Sequence, residues 1–161
     1  MFAGKQFRKA EEAMRFYTAV FDKGIIQTGK STILQLEHYK TGEGPEGAVV
    51  HAKFSLIGQE FTAMDSHMEL PFEFNPAISF VVNCENQEEI NYYWDKLSEG
   101  GDERAQQCGW LQDKFGLSWQ IVPQGIGEIL SSDNSDKSNR AMQALMQMKK
   151  IDIHAIRIAM E

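Results

Sequence analysis

Three side chains have the type and placement to do chemistry: His51, Trp110 and Gln120. His51 lies where Val50, Ala52, Phe54 and Leu56 alternate with Val49, His51, Lys53 and Ser55. That alternation belongs to a half-buried strand and sets His51 with Lys53, away from Phe54 and Leu56. An imidazole titrating near neutrality there is either an acid or base or a plain wall histidine, and nothing close in sequence supplies a carboxylate to orient it. Gln120 shares a face with Ser118 and Val122, opposite Leu117, Trp119 and Ile121. Its amide can orient a polar ligand or bond a neighbouring strand, but it carries no charge and cannot be a general base. Trp110 falls on the face of Cys108 and Gln112, as a lining for an apolar or planar ligand or as part of the core. His38, His67 and His154 read as loop or tail residues.

The elements that must position these residues are legible from periodicity. Lys9 to Phe21 reads as an amphipathic helix, with Ala10, Ala13, Met14, Tyr17, Val20 and Phe21 at helical spacing. Strands are expected at Ile25 to Thr28, Thr32 to Tyr39 and Ala48 to Ile57, the last turning through Gly58 and Gln59 into Glu60 to Asp65. The run TGEGPEG between Tyr39 and Ala48 is a loop by composition and has no strand-to-helix context for a phosphate cradle. A second unit opens with AISFVVNC, where Ile78, Phe80, Val82 and Cys84 are expected on one face. Asn86 and Glu89 stand at capping-box spacing before a helix whose stripe is Ile90, Tyr93, Trp94 and Leu97, and Gly100 with Gly101 can stop it. Asp113-Lys114-Phe115-Gly116 has the chemistry of a tight turn, so Gly109 to Gln112 should pair antiparallel with Leu117 to Val122.

The two halves share an order of elements, and EEAMRFY at Glu11 to Tyr17 lines up with EEINYYW at Glu88 to Trp94, which points to a duplicated module. The copies are unequal. Only Met1 to Ala3 precede the first helix as an opening strand, and only Asp102 to Gln107 can supply the strand before Cys108. After Pro123 the chain turns polar from Ser131 to Asn139. It then shows a Met-rich helix over Arg140 to Lys149, docked on its own domain or on a second subunit, and Asp152 can cap a last short helix through Met160.

Composition narrows the function classes. A chain of 161 residues with 42% hydrophobic and 24% charged residues is long enough to bury a core without metals or disulfides. The net charge of -7, with 16 basic residues scattered among 23 acidic ones, argues against nucleic acid as partner. Cys84 and Cys108 lack CxxC spacing and sit in apolar runs, so both are expected as buried thiols rather than zinc ligands. No run reaches about 18 uninterrupted apolar residues, so no membrane span or signal peptide is expected and a cytoplasmic location follows.

Four motifs in a fixed order, AEEAMRFYTAVF, GQEFTAMD, NPAISFVV and CGWLQDKFGLSWQIVP, resemble the PhnB-like branch of the vicinal oxygen chelate superfamily. Members of that branch are often labelled demethylubiquinone 3-methyltransferase. The resemblance implies an α+β, glyoxalase-like fold: two βαβββ modules, over about residues 1–66 and 75–123, whose curved mixed sheet surrounds a cleft. Residues 1–130 would form one domain and 131–161 a C-terminal helical extension, and relatives of this kind commonly form homodimers. Metal-dependent relatives hold a divalent ion in the cleft through His, Glu or Gln from both modules. Transferred one at a time, those positions fall on Gln120 in place of a carboxylate, near Ala77 in place of a histidine, within Thr62 to Asp65, and at or before Met1. The resemblance therefore implies no metal, no cofactor, and a small-molecule-binding protein using His51, Trp110 and Gln120. The alternative is a divergent enzyme acting on a small vicinal-oxygen substrate with His51 as acid or base. The common S-adenosylmethionine fold would need a glycine-rich first turn and alternating parallel strands and helices, which this sequence does not show.

Overall fold

The computed structural model describes residues 1–24, 29–68, 70–71 and 73–161, and the expected strand at Ile25 to Thr28 lies outside them. The chain divides into two compact units, Met1–Phe74 and Asn75–Glu161. The fold is mixed α+β, with one three-stranded sheet in each unit. Among the described residues no helix is long and apolar enough to cross a membrane.

In the first unit, helix α1 spans Ala10–Asp22, and its six apolar-stripe residues named above are all buried. They pack on β1 (Thr32–His38) and β2 (Val49–Leu56), which with β3 (Gln59–Ala63) form an antiparallel sheet in the order β1-β2-β3. Ala52 and Phe54 of β2 are buried while Lys53 between them is exposed, as the period of two requires. The hairpin turn is Ile57-Gly58, one residue earlier than expected, with φ of 51° and 83°. Two positive φ values define the turn whose twist matches paired strands. The opening strand reduces to a single parallel bridge between Phe2 and Asp65.

Asp65 does what the sequence does not reveal. It is 4% exposed, and its Oδ1 accepts from Ala10 N at 3.2 Å while Oδ2 accepts from Val49 N at 2.8 Å. Lys9 holds the N-cap position of α1 and makes no side-chain cap bond, so this remote carboxylate caps the helix in its place. A negative charge at the helix start is also favoured by the helix dipole.

In the second unit, β4 (Phe80–Cys84) runs parallel to β6 (Ser118–Pro123), which pairs antiparallel with β5 (Trp110–Gln112), in the order β4-β6-β5. Helix α2 (Gln87–Ser98) starts on the expected capping box: Asn86 Oδ1 accepts from Glu89 N at 3.0 Å. The reciprocal bond goes one residue further back, from Glu85 N to Glu89 Oε2 at 2.8 Å. In both units the opening segment runs parallel to the last strand, which is the symmetry a duplication requires. The expected strand over Asp102 to Gln107 is instead a one-turn 3-10 helix at Glu103–Ala105 and an isolated bridge from Gln107 to Trp110. Ile78 does not join the buried face of β4; it precedes the strand and is 76% exposed.

The Asp113–Gly116 turn is tighter than a backbone turn alone. Asp113 Oδ1 accepts from Phe115 N (2.8 Å) and Leu117 N (3.0 Å), and Oδ2 accepts from Trp119 Nε1 (2.8 Å). A buried carboxylate holding three N–H donors fixes both the turn and the indole of the next strand.

Three helices follow: α3 (Ile126–Leu130), α4 (Ser135–Met146) and α5 (Ile153–Ala159). Helix α4 starts five residues before the expected Arg140, because the Asn134 side chain accepts from Asp136 N and Lys137 N and caps it there. Asp152 caps α5 through Ala155 N, as expected. Ala141, Leu145, Ile151 and Ile156 form a small core against which Cys108 and Val122 pack. The docking is specific. Gln87 donates its amide to Ile151 O and accepts from Ile153 N, both at 2.9 Å. Cys108 N and Gly109 N donate to Met148 O and Lys149 O, both at 2.8 Å. Gly109 has φ 85°, and a Cβ there would meet Ile121 O at 2.7 Å and Ile151 Cδ1 at 2.9 Å, so the seam requires glycine.

Candidate functional site

The β4-β6-β5 sheet has one face filled by Val82, Leu111, Trp119 and Ile121, all buried together with Ile90 and Leu97 of α2. Alternation then presents the opposite face as rows across three strands. The central row is Val81, Gln120 and Trp110, because Gln120 pairs with Val81 of β4 and with Trp110 of β5. Val81 is 51% exposed, and Gln120 and Trp110 are half-buried. Flanking rows carry Asn83 with Val122 and Gln112 with Ser118. Gln112 donates to Gly116 O at 3.0 Å, turned back into its own hairpin.

Gln120 is not a loose amide. Its Nε2 donates to Ser79 Oγ at 2.8 Å, which holds the amide in one orientation. The row thus sets an oriented amide between an indole on one strand and a branched apolar side chain on the other. Such a surface can accept a planar molecule and bond one or two of its oxygens. It holds no ionised group to take a proton. Ser79 and Val81 were not singled out from the sequence, although they alternate with Phe80 and Val82, and that alternation was the available signal.

Trp110 and Gln120 are therefore brought together in one row, and His51 lies in the first unit. His51 is half-buried on β2, on the face of Lys53, and its register partner on β1 is Glu37. Glu37 thus stands opposite it on the adjacent strand, where its Oε1 accepts from Gln35 Nε2 at 2.7 Å. Lys53 pairs with Gln35 on one side and Thr62 on the other, making this a polar face. His38 is not a loop residue: it ends β1, and its Nε2 lies 2.7 Å from Glu11 Oε2. Arg15 and then His38 hold the Glu11 carboxyl below its ordinary value.

The positions that would hold a metal offer few free donors. Both oxygens of Asp65 are taken by the backbone, Ala77 has no side-chain donor, and Gln120, whose Nε2 is bonded to Ser79, offers one neutral amide oxygen. Among the described residues no three His, Cys, Asp or Glu side chains come together. The two cysteines differ from one another. Cys84 is fully buried, and burial, with Glu89 nearby, pushes its thiol up to about 12. Cys108 is only half-buried, contrary to expectation, because it sits with φ 51° in the turn that receives α4.

A family model described as 3-demethylubiquinone-9 3-methyltransferase matches residues 1–122. Among solved structures, a PhnB protein from Bacillus cereus is 41% identical, with a TM-score of 0.61 over 73% of this chain and 92% of that one. Protein PA1353 from Pseudomonas aeruginosa, at 20% identity, a TM-score of 0.56 and coverage of 73% and 90%, bears on the fold alone. A search of curated proteins finds no match. On the matched span and the identity to the Bacillus cereus protein, the chain belongs to the 3-demethylubiquinone-9 3-methyltransferase family, in its PhnB-like branch.

Proposed function

We propose that this chain is a small-molecule-binding protein of the vicinal oxygen chelate superfamily, taking a planar, partly apolar molecule on the open face of its β4-β6-β5 sheet. The observation that carries this reading is the row Val81, Gln120, Trp110 with the Gln120 amide fixed by Ser79. The family's name involves a demethylubiquinone, a planar ring bearing adjacent oxygens, and that shape suits an indole-walled surface with one oriented amide. Among the described residues no three His, Cys, Asp or Glu side chains gather for a divalent ion, and a methyl donor of the doubly wound kind has no matching fold. The sheets are mainly antiparallel, and the glycines at Gly42, Gly44 and Gly47 belong to the loop between β1 and β2. In this reading the protein is a homodimer, as the superfamily resemblance implies; sedimentation equilibrium should give the mass of two chains.

The test is thermal stabilisation by a panel of catechols and short-chain quinones. A ligand at 100 times its Kd adds about 2.7 kcal/mol, a shift of roughly 5 to 10 °C for a chain this size. The shift should disappear in Trp110→Ala and shrink in Gln120→Ala. A shift that survives both substitutions would remove the site from this face.

One observation favours a second reading, an enzyme of the same superfamily with His51 as acid or base: Glu37 sits opposite His51 in the β1–β2 register. A carboxylate bonded to one ring nitrogen of an imidazole sets its tautomer and orients the other nitrogen. Any turnover found with the same panel should then fall at least tenfold in His51→Ala and change its pH profile in Glu37→Gln.

A further inference from the structure

The family model stops at residue 122, and α4 and α5 lie beyond it. Where this tail meets the body, two sulfurs face one another: Cys108 Sγ and Met146 Sδ are 3.8 Å apart. We propose that Cys108 and Met146 form a surface site for a soft monovalent cation, Cu(I) or Ag(I), distinct from the sheet face described above.

The chemistry of the donors selects the ion. A thiolate and a thioether are soft ligands, and such sets favour Cu(I)-type ions over hard oxygen-seeking cations. With metal–sulfur bonds of about 2.3 Å, a separation of 3.8 Å subtends an angle of roughly 110° at the ion, which suits trigonal or tetrahedral coordination. Met142 stands four residues before Met146 on the same helical face and is 46% exposed, so a second thioether is available for a third position. Met146 itself is 54% exposed, which gives the ion a way in.

The surroundings hold the pair in place before any ion arrives. Cys108 N and Gly109 N donate to Met148 O and Lys149 O, pinning the turn to the end of α4. Gln107 Nε2 donates to Met146 O at 2.6 Å and to Cys108 Sγ at 3.5 Å. Cys108 Sγ donates in turn to Leu145 O at 3.4 Å. On binding, the sulfur–metal bond replaces the S–H bond and the proton leaves to solvent. The carbonyl of Leu145 loses that donor, and Gln107 is left as a donor to the metal-bound sulfur. Because one ligand comes from the β5 hairpin and the other from α4, the ion would also staple the tail to the body.

The test uses the reduced full chain in chloride-free nitrate buffer, titrated with Ag(I) and followed by native mass spectrometry and calorimetry. One Ag(I) per chain is expected in the parent. Met146→Leu, an exposed substitution that keeps far-ultraviolet circular dichroism unchanged, should weaken binding at least tenfold. Cys108→Ser should abolish it, because Cys84 is buried and out of reach. Met146→Leu binding as tightly as the parent, or full stoichiometry retained in Cys108→Ser, would overturn the proposal.

Discussion

Each unit buries one aspartate and saturates it with N–H donors, yet the two do opposite kinds of work. Asp113 binds donors two, four and six residues away and builds a turn. Asp65 binds donors 55 and 16 residues away and ties the start of α1 to the start of β2. The first unit thus closes through a long-range polar tie, and the second through local turn chemistry plus a docked tail. The open sheet faces differ in the same spirit: His51, Lys53, Glu37 and Thr62 make one polar, while Val81, Trp110 and Val122 make the other apolar around a single fixed amide.

The largest effect that breaks this comparison should come from the aspartates themselves. Asp65→Ala strands two buried N–H groups and uncaps α1, at a cost of about 3 to 5 kcal/mol. Asp113→Ala should cost a similar amount, but the readouts separate. All three tryptophans, Trp94, Trp110 and Trp119, lie in the second unit, so native indole emission should shift in Asp113→Ala and stay in place in Asp65→Ala. Equal shifts in both would mean the aspartates are not tied to separate units.

A smaller effect concerns the tail. Gln87→Ala removes both the donor to Ile151 O and the acceptor for Ile153 N, costing about 1 to 3 kcal/mol. Limited proteolysis should then cut between α4 and α5 sooner than in the parent, while the first unit's fragments appear unchanged. Smaller still, Ile57→Asn should stabilise by roughly 0.5 to 1 kcal/mol, since a branched side chain at φ 51° is strained and Asn accepts that region. A chemical melt with a lower midpoint for Ile57→Asn would count against the strain.

The smallest effect is electrostatic. Glu11 is held below its ordinary 4.5 by Arg15 and His38. Its stabilisation is therefore present above about pH 4.5 and lost as pH falls through the depressed folded value. Glu11→Gln should cost no more than about 0.5 kcal/mol at neutral pH, because the pair is partly exposed. The denaturation midpoints of parent and variant should converge in acid.

What was legible in the sequence follows the same division between local and distant. Helices α1 and α2, the capping box, the Asp113 turn and the two-face pattern around Gln120 depend on residues within a few positions of one another, and periodicity reports them directly. The hairpin was legible but not its register: a four-residue turn sets Gln112 opposite Leu117, whereas Gln112 pairs with Ser118 and so brings Trp110 beside Gln120. The cap on α1 by Asp65, the Glu37 opposite His51, the His38–Glu11 pair and the Cys108–Met146 contact depend on partners that only the folded chain brings close. The exposed Ile78 and the early start of α4 were misplaced for a related reason: strand and helix ends are set by single hydrogen bonds, not by the apolar pattern.

The most direct test of the binding account is a two-dimensional amide spectrum recorded while a catechol or quinone that stabilises the chain is titrated in. Shifts should concentrate at the Trp110 indole N–H, the Gln120 side-chain amide and the backbone of Ser79 and Val81. Shifts centred instead on His51 and Glu37, with the Trp110 and Gln120 signals unmoved, would contradict it.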